Sequence, residues 1–195
     1  MLVLVRHGQS ELNAAGCLAG RLDTPLTALG AAQAVRLGAA VNALGRPVRV
    51  ISSPLRRARD TAAAIGGPVV VDDRWVELDY GPYDGMPLRD VPAELWESWR
   101  RDVTWVPPGG ESLVALGARV RAACDEARAD AENMTVVVTH VSPIKAAVAW
   151  ALGVGDEVTW RMFVSPGSLT VIGTEQRGPV LRSFNITGHL DGLVP

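Results

Sequence analysis

Lysine is almost absent from this 195-residue chain. Of its 19 basic residues 18 are Arg and only Lys145 is Lys, against 21 Asp and Glu. The formal net charge of −2 offers no global attraction to nucleic acid or to an anionic membrane. An arginine-based set suits a site that grips phosphate or carboxylate, because guanidinium binds both bidentately. Cysteine is scarce as well. Cys17 and Cys124 form no CxxC pair, so both are expected to be reduced and the compartment reducing. No stretch approaches the roughly 20 apolar residues that span a bilayer. The opening "MLVLVRHG" has no basic segment and only five apolar residues before Arg6, which argues against a secretion signal. A cytoplasmic location is therefore expected. HExxH, CxxC and paired-carboxylate metal motifs are missing, as are GxxxxGK[ST] and GxGxxG, so neither a metal nor a nucleotide-hydrolase reading gains support. With no repeat, low-complexity tract or linker, residues 1–195 read as one domain.

What is present alternates between strand and helix. "MLVLV" reads as a buried strand. Thr27 to Gly45 reads as a helix capped by Thr27, with Leu29, Ala32, Val35, Leu37 and Val41 as its apolar face. Val48 to Ser53 is a strand running into a helix capped by Ser53, with Pro54 first and Gly66 and Gly67 as its stop. Val69 to Val71 is a short strand. Residues from about 80 to 110 carry Pro82, Pro87, Pro92, Pro107 and Pro108 among Trp96, Trp99 and Trp105, and read as a lid excursion with one short helix near Pro92 to Arg101. A long helix covers Glu111 to Ala131. Met134 to His140 is a strand, followed by a helix from Pro143 to Leu152. Two final strands are joined by a turn at Gln176 to Pro179. The pattern is α/β: a three-layer α/β/α sandwich on a mainly parallel sheet, closed by an antiparallel pair.

In open α/β sheets ligands bind beyond the carboxyl ends of the strands. Arg6 and His7 follow the first strand, Arg57 opens the helix after the second, and His140 ends a third. Two arginines and two histidines would meet at one sheet edge beside helix N-termini, forming a pocket for a dianion such as phosphate. A neutral imidazole just past a strand can attack phosphorus through one ring nitrogen while the other donates to a carbonyl. Gly8 permits the sharp turn and a close approach of phosphoryl oxygens to the backbone. A single such His is more often merely a hydrogen-bonded polar residue, so the weight rests on the set.

The residues "RHGQSELN" (Arg6 to Asn13), "GRLDTPLTALG" (Gly20 to Gly30), "SSPLRRARDTA" (Ser52 to Ala62), "ELDYGPYDG" (Glu77 to Gly85), "PGGES" (Pro108 to Ser112), "VVTHVSPIK" (Val137 to Lys145) and "FNITGHL" (Phe184 to Leu190) occur in order along nearly the whole chain. In this the chain resembles the histidine phosphatase, or phosphoglycerate mutase-like, superfamily. The resemblance implies a phosphatase that needs no metal and no cofactor and acts on a small phosphorylated substrate, and a homodimer. It casts His7 as the nucleophile that becomes phosphohistidine. Arg6, Arg57 and His140 complete the phosphate pocket, and Glu77 protonates the leaving oxygen. Asn13 and Arg21 line the phosphate or substrate side.

Three departures stand out. Ser10 replaces a common Thr, Asp84 stands where Glu is common, and Val141 and Ser142 replace a frequent Gly-Gly. Val141 would thereby narrow the mouth and touch substrate. Cys17, His189, Glu11 and Glu111 are expected to be structural or superficial, Arg56 to pair with Asp60, and Trp75 and Trp150 to sit in the core. The lid Trp residues either pack the excursion down or line the substrate mouth, and Arg100, Arg101 and Lys145 would favour an anionic substrate. Only 63 positions separate Glu77 from His140 and the sequence ends five residues after Leu190, which favours a phosphatase over a phosphoglycerate mutase. A non-catalytic phospho-ligand binding protein is the third reading, and the full set of catalytic-type residues weighs against it.

Overall fold

Leu2 and Leu4 pack on one side of the sheet and Val3 and Val5 on the other, which makes Leu2–Arg6 (β1) a strand covered on both faces. The computed structural model describes residues 1–129 and 133–193. After β1 come α1 (Glu11–Ala14), α2 (Ala28–Leu44), β2 (Arg49–Ser52), α3 (Arg56–Ala63), β3 (Val69–Val71), α4 (Ala93–Arg101), α5 (Leu113–Ala129), β4 (Thr135–Thr139), α6 (Val141–Leu152), β5 (Leu169–Glu175) and β6 (Gly178–Ile186). The sheet order is β3-β2-β4-β1-β5-β6. β1 to β4 pair in parallel, and β5 runs antiparallel to both β1 and β6. Leu37 and Val41 of α2 with Ala58 and Ala62 of α3 cover the Val3/Val5 face. Leu116 and Val120 of α5 with Ile144 and Ala147 of α6 cover the other. The result is the expected three-layer sandwich.

The differences from expectation are local. Val35 is 66% exposed, and α2 instead buries Gly30, Ala34, Leu37, Gly38 and Val41. A Cβ on Gly38 would stand 2.2 Å from the Ala64 carbonyl oxygen, so α2 meets the end of α3 at backbone distance and small residues make the contact. α3 begins at Arg56 rather than at Ser53 and Pro54. The Ser53 hydroxyl lies 2.7 Å from His140 Nε2 and accepts the Leu55 N–H at 3.4 Å, short of the helix itself. α6 begins two residues early, at Val141, because Glu77 receives its first N–H groups. Trp150 is half-buried rather than core, and its indole N–H donates to Asp125 at 2.9 Å. The final turn is tighter than expected, with Pro179 already inside β6. Of the helix expected to reach Ala131, Asp130 and Ala131 lie outside the described residues.

The Pro-rich excursion packs against the α5–α6 side through α4. Trp99 is fully buried, with Tyr80 and Trp105 edge-on at 5.6 and 5.3 Å and Trp96 tilted at 5.9 Å. Trp75 is fully buried as expected. Among the described residues no helix is long and apolar enough to cross a membrane.

Candidate active site

β1, β4 and β2 are neighbours in the sheet, so their carboxyl ends deliver His7, His140 and the start of α3 to one place. The His7 and His140 rings stand 4.9 Å apart, edge to face. His7 Nδ1 lies 2.6 Å from the Gly8 carbonyl oxygen, which can only accept, so Nδ1 carries the proton. Arg57 Nε donates to His7 Nε2 at 3.1 Å, so Nε2 carries the lone pair. Burial first, then the charges of Arg57 and Arg6, hold the His7 pKa well below its usual value. His7 is thus a neutral imidazole with its lone pair aimed among arginines.

Arg57 is fully buried. Its Nη1 donates to the Leu22 carbonyl at 2.7 Å and its Nη2 to the Gly20 carbonyl at 2.5 Å. Asp84 accepts the N–H groups of the same two residues, at 2.7 and 2.8 Å. Asp84 and Arg57 therefore clamp one loop from opposite sides. Arg6 Nη1 donates to the Val164 carbonyl at 2.6 Å, and burial lowers its pKa to about 10. Burial, with the nearby arginines and His7, also pulls the His140 pKa well down. Arg6 Nε and His140 Nδ1 are buried with no hydrogen-bond partner among the described residues. An isolated orphan of this kind costs about 1 to 3 kcal/mol, which an anion in the pocket would recover.

Glu77 is 3% exposed. Its carboxylate accepts the N–H groups of Val141 and Ser142 at 3.1 Å each, at the positive end of α6, and that of Leu78 at 2.8 Å. Tyr80, whose hydroxyl pKa is raised by burial, lines the cavity with Glu77 and packs edge-on against Trp99. A cavity of about 180 Å³ is lined by Arg6, His7, Asn13, Cys17, Leu18, Ala19, Glu77, Tyr80, Leu88 and Val141. A larger one of about 550 Å³, lined by Asn42, Arg46 and Gly66 among others, lies at the opposite, amino end of β2 and β3, away from every titratable group just described.

The other expected site residues divide. Asn13 reaches the cavity, though its Oδ1 is taken by the Ser10 N–H and hydroxyl at 3.1 and 3.0 Å. Val141 lines the cavity. Arg21 is absent from the lining. It pairs instead with Asp79 and Glu111, both at 3.2 Å. Glu111 is no surface residue: its side chain is 13% exposed and bridges Arg21 to Arg119. Lys145 stands one turn beyond Val141, its pKa lowered by burial. Sequence reasoning missed Arg119, which carries no motif of its own. Asp84 stood only as a departure, and no local pattern ties it to Gly20 and Leu22, 64 and 62 residues away in sequence. Arg56 does pair with Asp60, at 3.3 Å, and His189 bonds the Gly167 carbonyl at 2.9 Å. Among the described residues no group of three or more His, Cys, Asp or Glu is placed to hold a metal ion.

This constellation has relatives. Residues 2–187 match the Histidine phosphatase superfamily (branch 1), and the chain belongs to that superfamily. It is 36% identical over 201 residues to phosphoserine phosphatase 1 of Hydrogenobacter thermophilus, covering 97% of this chain and 93% of that one. It is 38% identical to a bifunctional protein of Mycobacterium tuberculosis, covering 97% of this chain but only 54% of that protein's length. The chain thus spans about half the length of that relative. Among solved structures it superposes on a mycobacterial glucosyl-3-phosphoglycerate phosphatase complexed with VO3, with a TM-score of 0.84 and 33% identity over 95% of this chain and 98% of that one.

Proposed function

We propose that this chain is a metal-independent phosphomonoester hydrolase that works through a phosphohistidine on His7 and acts on a small phosphorylated metabolite. The observation that carries the reading is His7 itself: a neutral imidazole whose Nδ1 proton is fixed by Gly8 and whose Nε2 lone pair faces the buried donors of Arg57, Arg6 and His140. Nε2 attacks phosphorus, and the bond from phosphorus to the leaving oxygen breaks. Glu77 supplies the proton that oxygen needs. Arg6, Arg57 and His140 take up charge on the equatorial oxygens. Water then attacks the phosphohistidine and Glu77 takes its proton. The N–P bond breaks, leaving phosphate and neutral His7. Val141 and Asn13 sit where the substrate's remaining atoms would lie. The cavity volume supports a small ester, since sites for larger ligands run from about 300 to 1,000 Å³. Relatives named phosphatases give the mutase and binding-protein alternatives no support. A cytoplasmic homodimer belongs to the same reading.

The test is hydrolysis of p-nitrophenyl phosphate in excess EDTA. Activity should survive chelation and fall at least about 1,000-fold in His7→Ala. A His7→Ala protein that still turns over would sink the mechanism, and activity lost to EDTA would sink its metal independence.

A further inference from the structure

Two guanidiniums hold the backbone behind Glu77, and one carboxylate holds both guanidiniums. Arg119, on α5, donates from Nη1 to the carbonyls of Arg74 and Val76 at 2.6 and 2.7 Å and from Nη2 to the carbonyl of Glu77 at 3.3 Å. Arg21 Nε donates to that same Glu77 oxygen at 3.4 Å. Glu111 takes Arg119 in a bidentate fork, 2.8 Å to Nε and 2.9 Å to Nη2, and Arg21 Nη2 at 3.2 Å. The Glu111 N–H donates to the Asp79 carbonyl at 3.0 Å, and Arg21 pairs with the Asp79 carboxylate. Arg119 and Glu111 are 18% and 13% exposed at their side chains, so water competes weakly for these bonds.

We infer that Glu111 and Arg119 are positioning residues for Glu77, setting where its carboxyl stands against the leaving oxygen. The inference rests on the reading of Glu77 as the proton donor. The carboxyl end of Glu77 is pinned by the N-terminus of α6 and its main chain by Arg119. A side chain held at both ends cannot adjust when one anchor moves. Residues 74–79 include no strand, so no sheet ladder replaces the anchor if the fork opens. An offset of about 1 Å in a reacting group can cost about 100-fold in rate.

The readout is dependence on the leaving group. p-Nitrophenolate departs without a proton, whereas the far more basic phenolate needs one. Values of kcat/KM for p-nitrophenyl and phenyl phosphate report steps up to that departure and involve similar binding. Glu77→Gln should lower phenyl phosphate turnover by about 100-fold or more and p-nitrophenyl phosphate turnover much less. Glu111→Gln and Arg119→Lys should show the same asymmetry at about 10-fold, with vanadate inhibition close to wild type. Equal losses on both substrates, or none, in the two brace variants beside an asymmetric Glu77→Gln would overturn the inference alone. A symmetric Glu77→Gln would remove Glu77 as proton donor, and the inference with it. Arg119→Lys keeps the charge without the fork, so it guards against a Glu111→Gln protein that folds poorly.

Discussion

What its two nitrogens touch fixes where His7 carries its proton and where its lone pair. A carbonyl fixes the proton on one, and a guanidinium that can only donate finds the lone pair on the other. Burial and the neighbouring arginines then keep the ring neutral at pH 7. Arg57 is held beside that ring because the carbonyls of Gly20 and Leu22 each take an N–H from one of its Nη groups. Asp84 holds those residues in place by their N–H groups. Asp84→Ala should therefore weaken the pocket without touching substrate. Loss of this clamp is worth about 1 to 3 kcal/mol, or roughly 5- to 150-fold, in kcat/KM. Vanadate affinity should fall in parallel, because the damage is to phosphate binding. An Asp84→Ala enzyme with normal vanadate affinity would separate the clamp from the pocket. Arg6, His7, Arg57 and His140 could be placed together from sequence because each ends or follows a strand or opens a helix, whereas Glu77, in a stretch without a strand, was marked only by its resemblance to a family motif. Arg119 was marked by neither. It lies inside an ordinary helix pattern and works through carbonyl oxygens, which leave no mark on side-chain identity. Arg21 lay in a recognisable motif, yet its partners Asp79 and Glu111 are far away in sequence, so its placement depended on tertiary contacts.

Among the elements, α2 decides how tightly the His7 turn is held. A Cβ on Gly30 would stand 2.0 Å from the Gln9 carbonyl oxygen, and one on Gly8 would stand 2.3 Å from that of Gly30. The first turn of α2 and the loop after β1 thus touch backbone to backbone. Further along, Gly38 makes the same kind of contact with Ala64. Neither obstacle is a flexible side chain, so Ala at either position forces main chain apart, at about 1 to 3 kcal/mol. The consequences should differ. Gly30→Ala should lower both Tm and kcat/KM, since the displaced strand end carries His7. Gly38→Ala should lower Tm by a similar amount and leave kcat/KM near wild type. Equal activity loss in the two would show that general loosening, rather than the local contact, controls the site. These contacts also explain why the apolar face of α2 was misread. Periodicity marks where side chains are large, whereas here the buried stripe includes glycines and the valine between them faces water. The mainly parallel sheet and its antiparallel ending were legible because strands alternate with helices and the last two strands flank an obvious turn, whereas the strand order was not.

For the whole molecule, the site is a buried concentration of cationic groups in a chain of nearly balanced charge. Arg6 and Arg57 remain charged at pH 7, facing Glu77 and, around Arg57, Asp84 and Asp23. His7 and His140 are left neutral, because a further proton would be buried beside two guanidiniums. Both pKa values are depressed on folding, so their contribution to stability is complete above about pH 6.5, the ordinary histidine value. Below that pH the unfolded chain binds protons that the folded chain refuses, and stability falls. Each histidine should cost about 1.4 kcal/mol per pH unit until its folded pKa is reached. Urea unfolding between pH 7 and pH 5 should show a decline approaching about 2.7 kcal/mol per unit from this pair, with half-buried His189 adding in the same direction. His140→Asn should remove about half of the pair's slope. Inorganic phosphate should oppose the decline, because an anion between the arginines permits the histidines to take protons. At 100 times its Kd, phosphate also adds about 2.7 kcal/mol to stability by mass action. A stability profile flat from pH 7 to pH 5 would mean that the two histidines titrate as they do in water, and one that declines but is indifferent to phosphate would mean that the buried cationic pocket does not bind the anion.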